Sequence, residues 1–184
     1  MHDELRDAVC RANIDLQSHR LVTHSWGNVS GMDRGLEVVA IKPSGVAYEE
    51  LTPEKIVLLD LKGNIVEGDL RPSSDTPTHL ELYRSFETLG GICHTHSRHA
   101  TMWAQACREI PCLGTTHADF FYGAVPVTEV MTAEQIKSDY EMNTGKVIVQ
   151  RFAGLDPLQM RAVLVANHGP FTWGVTPESA IENS

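Results

Sequence analysis

Short apolar runs punctuate this chain, each bounded by polar or glycine-bearing turns: LEVVAIK (36–42), KIVLLD (55–60), GICHTH (91–96), KVIVQRF (146–152) and AVLVANHG (162–169). Runs this short are strand-sized, and bounding turns reinforce that reading. KIVLLD passes through Lys62-Gly63-Asn64 into a second β-branched run, the pattern of a hairpin. KVIVQRF and AVLVANHG are apolar without alternation, as in strands covered on both faces, and lean toward a parallel sheet. Helical patterns lie between the runs. Leu5, Ala8, Val9, Ala12 and Leu16 recur at helical spacing as far as about His19. Thr76 is placed to cap a helix with Pro77 at its first position, and Leu82, Phe86 and Leu89 form its buried stripe before Gly90-Gly91. The segment RHATMWAQAC predicts a helix with Ala100, Ala104 and Cys107 on its inner side. Thr132 with Gln135 spells a capping box, and Thr176-Pro177 opens a last helix. No linker, repeat or low-complexity tract divides the chain, so residues 1–184 read as one α/β domain with helices on the faces of a sheet.

Composition narrows what such a domain does. The 184 residues carry a formal net charge of -9 and no basic block, which argues against a nucleic-acid partner. One phosphate is still compatible with that sign, because a few backbone amides suffice to hold it. The acidic start MHDELRDAVC lacks the basic and apolar regions of a signal peptide, and no run reaches the ~18 apolar residues of a membrane helix. The four cysteines (Cys10, Cys93, Cys107, Cys112) form no CxxC pair and sit in apolar segments, so they read as buried free thiols of a cytoplasmic protein. Without a secretory signal, the sequon Asn28-Val29-Ser30 is chance.

GGICHTHSRHAT concentrates histidine. In a strand His94 and His96 project from one face, near enough to share a cation, while His99 falls at a helix start and points elsewhere. A second apolar strand ends in His168 before Gly169-Pro170, delivering another imidazole to a sheet edge. Each segment alone also reads as ordinary hydrogen-bonded sheet histidine. Together they make the three-ligand set of a catalytic zinc with a position left for substrate oxygen. Three donor-rich turns accompany them: WGNVS (Gly27, Asn28), KPSG (Lys42, Ser44, Gly45) and PSSDTP (Ser73, Ser74), the last leading into a helix N-terminus. Hydroxyls, exposed amides and a positive helix end suit a phosphate monoester, though each turn alone also reads as a plain turn. None is a P-loop.

SWGNVS, IKPSG, PSSDTPTH, HTHSRHAT with WAQA, GTTHADFFYG and NHGPF with WG occur in order over nearly the whole chain, and together they resemble the class II aldolase family, most of all its L-ribulose-5-phosphate 4-epimerase branch. The resemblance implies an α/β/α sandwich around a mostly antiparallel sheet, and a homotetramer with active sites near subunit interfaces. It assigns zinc, or another divalent ion, to His94, His96 and His168, with Asp75 as the acidic residue beside the metal where aldolases carry Glu. It assigns substrate and phosphate contacts to Gly27, Asn28, Ser44, Gly45, Ser73 and Ser74. Asp119 matches the epimerase proton-transfer acid, supplied across a subunit interface. The family continues beyond the position of Ser184 with a segment carrying a tyrosine of opposite acid/base role, which has no counterpart here.

The activity so implied is C4 epimerisation of a small phosphorylated ketose, L-ribulose 5-phosphate, to D-xylulose 5-phosphate, as in arabinose or ascorbate use. The C3–C4 bond breaks in a retro-aldol step, glycolaldehyde phosphate rotates on its phosphate tether, and the bond re-forms. The alternatives are a sugar-phosphate aldolase of the fuculose or rhamnulose type, a non-catalytic assembly domain, and an inactive truncated form of the epimerase.

Overall fold

The computed structural model describes residues 2–184. Helix α1 (Asp3–Ser18) precedes the antiparallel strands β1 (Asn28–Asp33), β2 (Val38–Ile41), β3 (Val57–Asp60) and β4 (Ile65–Glu67). Helix α2 (Thr76–Ser85), strand β5 (Gly91–His94) and helices α3 (Arg98–Gln105), α4 (Thr115–Phe120), α5 (Ala133–Ser138) and α6 (Tyr140–Arg151) follow. Strands β6 (Ala162–Leu164) and β7 (Pro170–Gly174) and helix α7 (Pro177–Glu182) complete the order. The sheet runs β4-β3-β2-β1-β5-β7-β6, and every pairing between named strands is antiparallel. The parallel lean drawn from the apolar continuity of AVLV is therefore corrected. Strand β6 is buried on both sides without being parallel, since α3 packs on it.

Strand alternation divides the core into two layers. Ile92 on β5, Phe171 and Trp173 on β7, and Leu80, Leu82 and Tyr83 on α2 share one apolar cluster with Ile148 and Phe152. Val29, Cys93, Ala12, Leu16, Ala180 and Ile181 form another, between the sheet and helices α1 and α7. Close packing at the strand start demands Gly91, where a Cβ would lie 2.3 Å from the Thr176 carbonyl oxygen.

The segment KVIVQRF is corrected from strand to helix. It forms the second half of α6 and the turn after it, with Val147 and Ile148 buried. Its β-branched residues are overruled by packing against α2: Gly145 admits the Glu81 side chain to a distance at which a Cβ would be only 2.7 Å away. The start of α2 shifts by one residue, because Asp75 occupies the cap position and Thr76 is the first helical residue, its hydroxyl donating to the Ser73 carbonyl at 2.6 Å. The capping boxes at Thr132 and Thr176 are both present. Two cysteine assignments are also corrected. Cys10 and Cys93 are buried, but Cys107 and Cys112 are exposed. Cys107 lies past the end of α3 at a φ of 51°, in a turn that carries it off the inner face.

Beneath the site, α2 contributes a fully buried histidine. His79 Nδ1 lies 2.7 Å from the Ser30 hydroxyl, which is 2.9 Å from the Tyr83 hydroxyl, while His79 Nε2 has no partner. Burial, reinforced by His94 and opposed by Asp75, drives its pKa down to about 3. Below the ordinary value of 6.5 the unfolded chain takes up a proton that native His79 refuses, so its contribution to stability is complete above pH 6.5 and is lost as pH falls toward 3. Between pH 6.5 and about pH 5 this residue alone should cost about 2 kcal/mol. Urea unfolding across that range should show a shallower pH slope for His79→Gln than for wild type.

Candidate metal and phosphate site

Register and alternation carry the first imidazole into place. His94 ends β5, opposite Asn28 of β1 on one side and Phe171 of β7 on the other. All three side chains face the α2 side of the sheet. The His94 ring stacks on Phe171 with centroids 4.1 Å apart, and its Nδ1 lies 2.9 Å from the Pro170 carbonyl oxygen. A carbonyl only accepts, so Nδ1 carries a hydrogen, and in the neutral form of this ring the lone pair is on Nε2. His96 stands two residues on, past the end of the strand, and is half-buried. His168 comes from the turn after β6, where Asn167 holds a positive φ of 65°, and its Nδ1 lies 3.2 Å from the Tyr140 hydroxyl at the start of α6.

One ligand atom from each of His94, His96 and His168 lies within 4.8 Å of the other two. Burial, with His94 beside each, lowers the pKa of His96 and lowers that of His168 to about 4. Both rings are therefore neutral near pH 7 and offer lone pairs. Three imidazoles converging in this way fit a divalent ion of borderline softness. His99 is exposed on α3 and stands outside the cluster.

Asp75, at the cap of α2, borders the same cavity without joining the ligand cluster. Its carboxylate accepts from Asn28 Nδ2 at 2.6 Å. Burial acts to raise its pKa, but His94, His79, the Asn28 bond and His168 outweigh it and hold the carboxyl below its ordinary range. Asn28 Nδ2 also donates to Ser73 Oγ at 3.1 Å, which ties β1 to the loop before α2, while Asn28 Oδ1 is buried without a partner. Gly27 is required by geometry: φ is +92°, and a Cβ would lie 2.9 Å from the His94 carbonyl oxygen.

The cavity of about 360 Å³ is lined by the three imidazoles, Asp75, and the turns that hold Gly27, Asn28, Ser44, Gly45, Ser73 and Ser74. Lys42, visible in the sequence only as part of a donor-rich turn, is 2% exposed and also lines it. Its ammonium donates to the Val46 carbonyl at 2.7 Å and lies 4.9 Å from the centre of the Tyr48 ring. Among the described residues no carboxylate is within ion-pair distance of it. An uncompensated buried cation beside hydroxyls and a helix N-terminus suits an anion. Trp26 borders the mouth, 59% exposed, with its ring 6.4 Å from that of His96. Tyr140 carried no sequence signal, since a tyrosine at a helix start belongs to no motif. Asp119 does not line the cavity; it lies exposed on α4.

Residues 7–184 match the Class II Aldolase and Adducin N-terminal domain, and the chain belongs to that family. A solved L-fuculose 1-phosphate aldolase is 28% identical and superposes with a TM-score of 0.81 over 98% of this chain and 79% of its own. YgbL from Klebsiella pneumoniae is 26% identical, with a TM-score of 0.76 over 100% of this chain and 84% of its own. The l-fuculose-1-phosphate aldolase of Thermus thermophilus shares the fold at 24% identity and a TM-score of 0.74, over 100% of this chain and 87% of its own.

Removal of one imidazole should leave an incomplete shell. His96→Ala should weaken Zn2+ binding by at least about tenfold in competition with a chromogenic chelator, whereas His99→Ala should leave it unchanged.

Proposed function

We propose that this chain breaks and re-forms a carbon–carbon bond in a small phosphorylated ketose, and that its reaction is C4 epimerisation of L-ribulose 5-phosphate to D-xylulose 5-phosphate. The observation that carries the choice is Asp75. The carboxylate beside the imidazoles is a short one, held by Asn28 at 2.6 Å. Net aldol cleavage needs a carboxylic acid long enough to reach the substrate and hand a proton to the cleaved carbon so that the fragments part. Asp75 is one methylene shorter than a glutamate and engaged by Asn28, which favours recombination over release.

The phosphate is assigned to Lys42, Ser44, Ser73 and Ser74, with the amides at the start of α2. Held there, the aldehyde fragment pivots on its phosphate while the other fragment stays at the imidazole end of the cavity. His94, His96 and His168 would hold a divalent ion, zinc by the chemistry of the donors, whose Lewis acidity would favour charge developing on oxygens beside the breaking bond. Asn28 Oδ1 is free to accept from a substrate hydroxyl. Epimerisation needs proton transfer on two faces, and Asp119 is the proposed acid for one. Its exposed place outside the cavity of its own chain fits delivery to a neighbouring copy, as in a homotetramer with interfacial sites.

The second reading is a sugar-phosphate aldolase, favoured by 28% identity to an L-fuculose 1-phosphate aldolase. Metal-loaded protein given L-ribulose 5-phosphate should yield D-xylulose 5-phosphate with little free dihydroxyacetone. Dihydroxyacetone appearing as fast as substrate disappears, or rapid release of dihydroxyacetone phosphate from L-fuculose 1-phosphate, would favour the aldolase. Under either reading Lys42→Met and Ser44→Ala should mainly raise KM, the lysine change by about tenfold or more, since ground state and transition state hold the phosphate alike.

A further inference from the structure

The three imidazoles are not anchored alike. His94 is fixed by a main-chain carbonyl of β7, an acceptor with no alternative role. His168 is fixed by a phenol, which can donate or accept, and Tyr140 Oη at 3.2 Å is the only partner of its ring nitrogens among the described residues. The backbone around His168 confines the ring's root: its N–H donates to the Val165 carbonyl at 3.0 Å, and the Asn167 N–H donates to the Ala104 carbonyl at 2.9 Å. Nothing in that turn decides which ring nitrogen carries the hydrogen, and the phenol is a partner that fits either choice.

We propose that Tyr140 is the positioning residue that sets His168 as a metal ligand, and that its hydrogen bond reverses direction when the ion binds. Without an ion the phenol can donate to Nδ1, which leaves the hydrogen on Nε2. A ring bound to an ion through Nε2 must instead carry its hydrogen on Nδ1 and donate it to Tyr140 Oη. The proton count on the ring is unchanged; one hydrogen moves from Nε2 to Nδ1, and the phenol O–H turns away from the ring.

The placement of Tyr140 is built for this. It is the first residue of α6, whose opening turn is fixed to α2 by the Thr78 hydroxyl donating to the Glu141 carbonyl at 2.5 Å. Its own carbonyl accepts from the Thr144 hydroxyl at 2.8 Å. Helix α2 is the element that also presents Asp75 to the cavity. One helix pair therefore sets both the carboxylate beside the imidazoles and the partner of the third imidazole, so a shift of α6 against α2 would change metal affinity without touching a ligand.

The proposal rests on the metal reading of the histidines, and its test separates the two. Zn2+ affinity is measured by chelator competition on wild type, Tyr140→Phe and His168→Ala, alongside thermal unfolding of each metal-free protein. The phenylalanine ring keeps the packing and removes only the hydrogen-bonding oxygen. Tyr140→Phe should bind Zn2+ about 10- to 100-fold more weakly than wild type at a nearly unchanged metal-free unfolding midpoint. An affinity equal to that of wild type overturns the positioning role and leaves the metal reading intact; a wild type that takes up no Zn2+ overturns both. A second measurement needs no variant. Long-range proton–nitrogen NMR of the His168 ring in Zn2+-loaded wild type should find the hydrogen on Nδ1 and Nε2 bound, and a hydrogen on Nε2 in the loaded protein would overturn the proposal.

Discussion

The stack of His94 on Phe171 is the constraint from which the site grows. Three antiparallel strands, β1, β5 and β7, place Asn28, His94 and Phe171 side by side on one face, because register pairs them directly. The ring is pressed flat at 4.1 Å from its neighbour and bonded at Nδ1, so it has one free nitrogen and one direction in which to offer it. His96 and His168 then need only short turns to converge on that point. Gly27 and Gly91 show how tightly the strands are drawn together: a side chain at either would strike the backbone of an adjoining segment.

Local charge explains how a protein of net charge -9 can present a cavity compatible with an anion. Burial lowers the pKa of His96 and brings that of His168 to about 4, while the Asp75 carboxyl is held below its ordinary range in spite of its burial. Lys42, lining the same cavity, has a carbonyl and an aromatic face beside it and, among the described residues, no carboxylate within ion-pair distance. Burying a cation without a counterion is costly, and a phosphorylated substrate would offset that cost on binding. One cavity thus combines imidazole nitrogens with a buried cation, hydroxyls and the start of α2.

Much of this was legible in the chain. Histidine spacing in ICHTH and the strand ending in His168 pointed to residues that the fold brings together, and the three donor-rich turns line one cavity. What escaped depends on partners distant in sequence. Lys146–Phe152 has the composition of a strand, yet α2 offers it a helical face with a gap at Gly145. Cys107 lies on the helical stripe with Ala104 but past the point where the helix ends. His96 is carried off the strand by the turn into α3. Tyr140 has no local pattern at all, since its meaning arises only where α6 meets the turn after β6. Asp119, in the role proposed for it, depends on geometry that a single chain does not contain.

The most direct measurement is a titration of metal-free protein with Co2+, followed by its visible absorption. A three-imidazole centre with an open position takes up about one equivalent per chain and develops the ligand-field bands of a four- or five-coordinate ion, which shift when a phosphorylated ketose is added. Uptake without those bands, or uptake and bands equal to wild type in a chain with His94, His96 and His168 all replaced by alanine, would contradict the metal centre on which the rest depends.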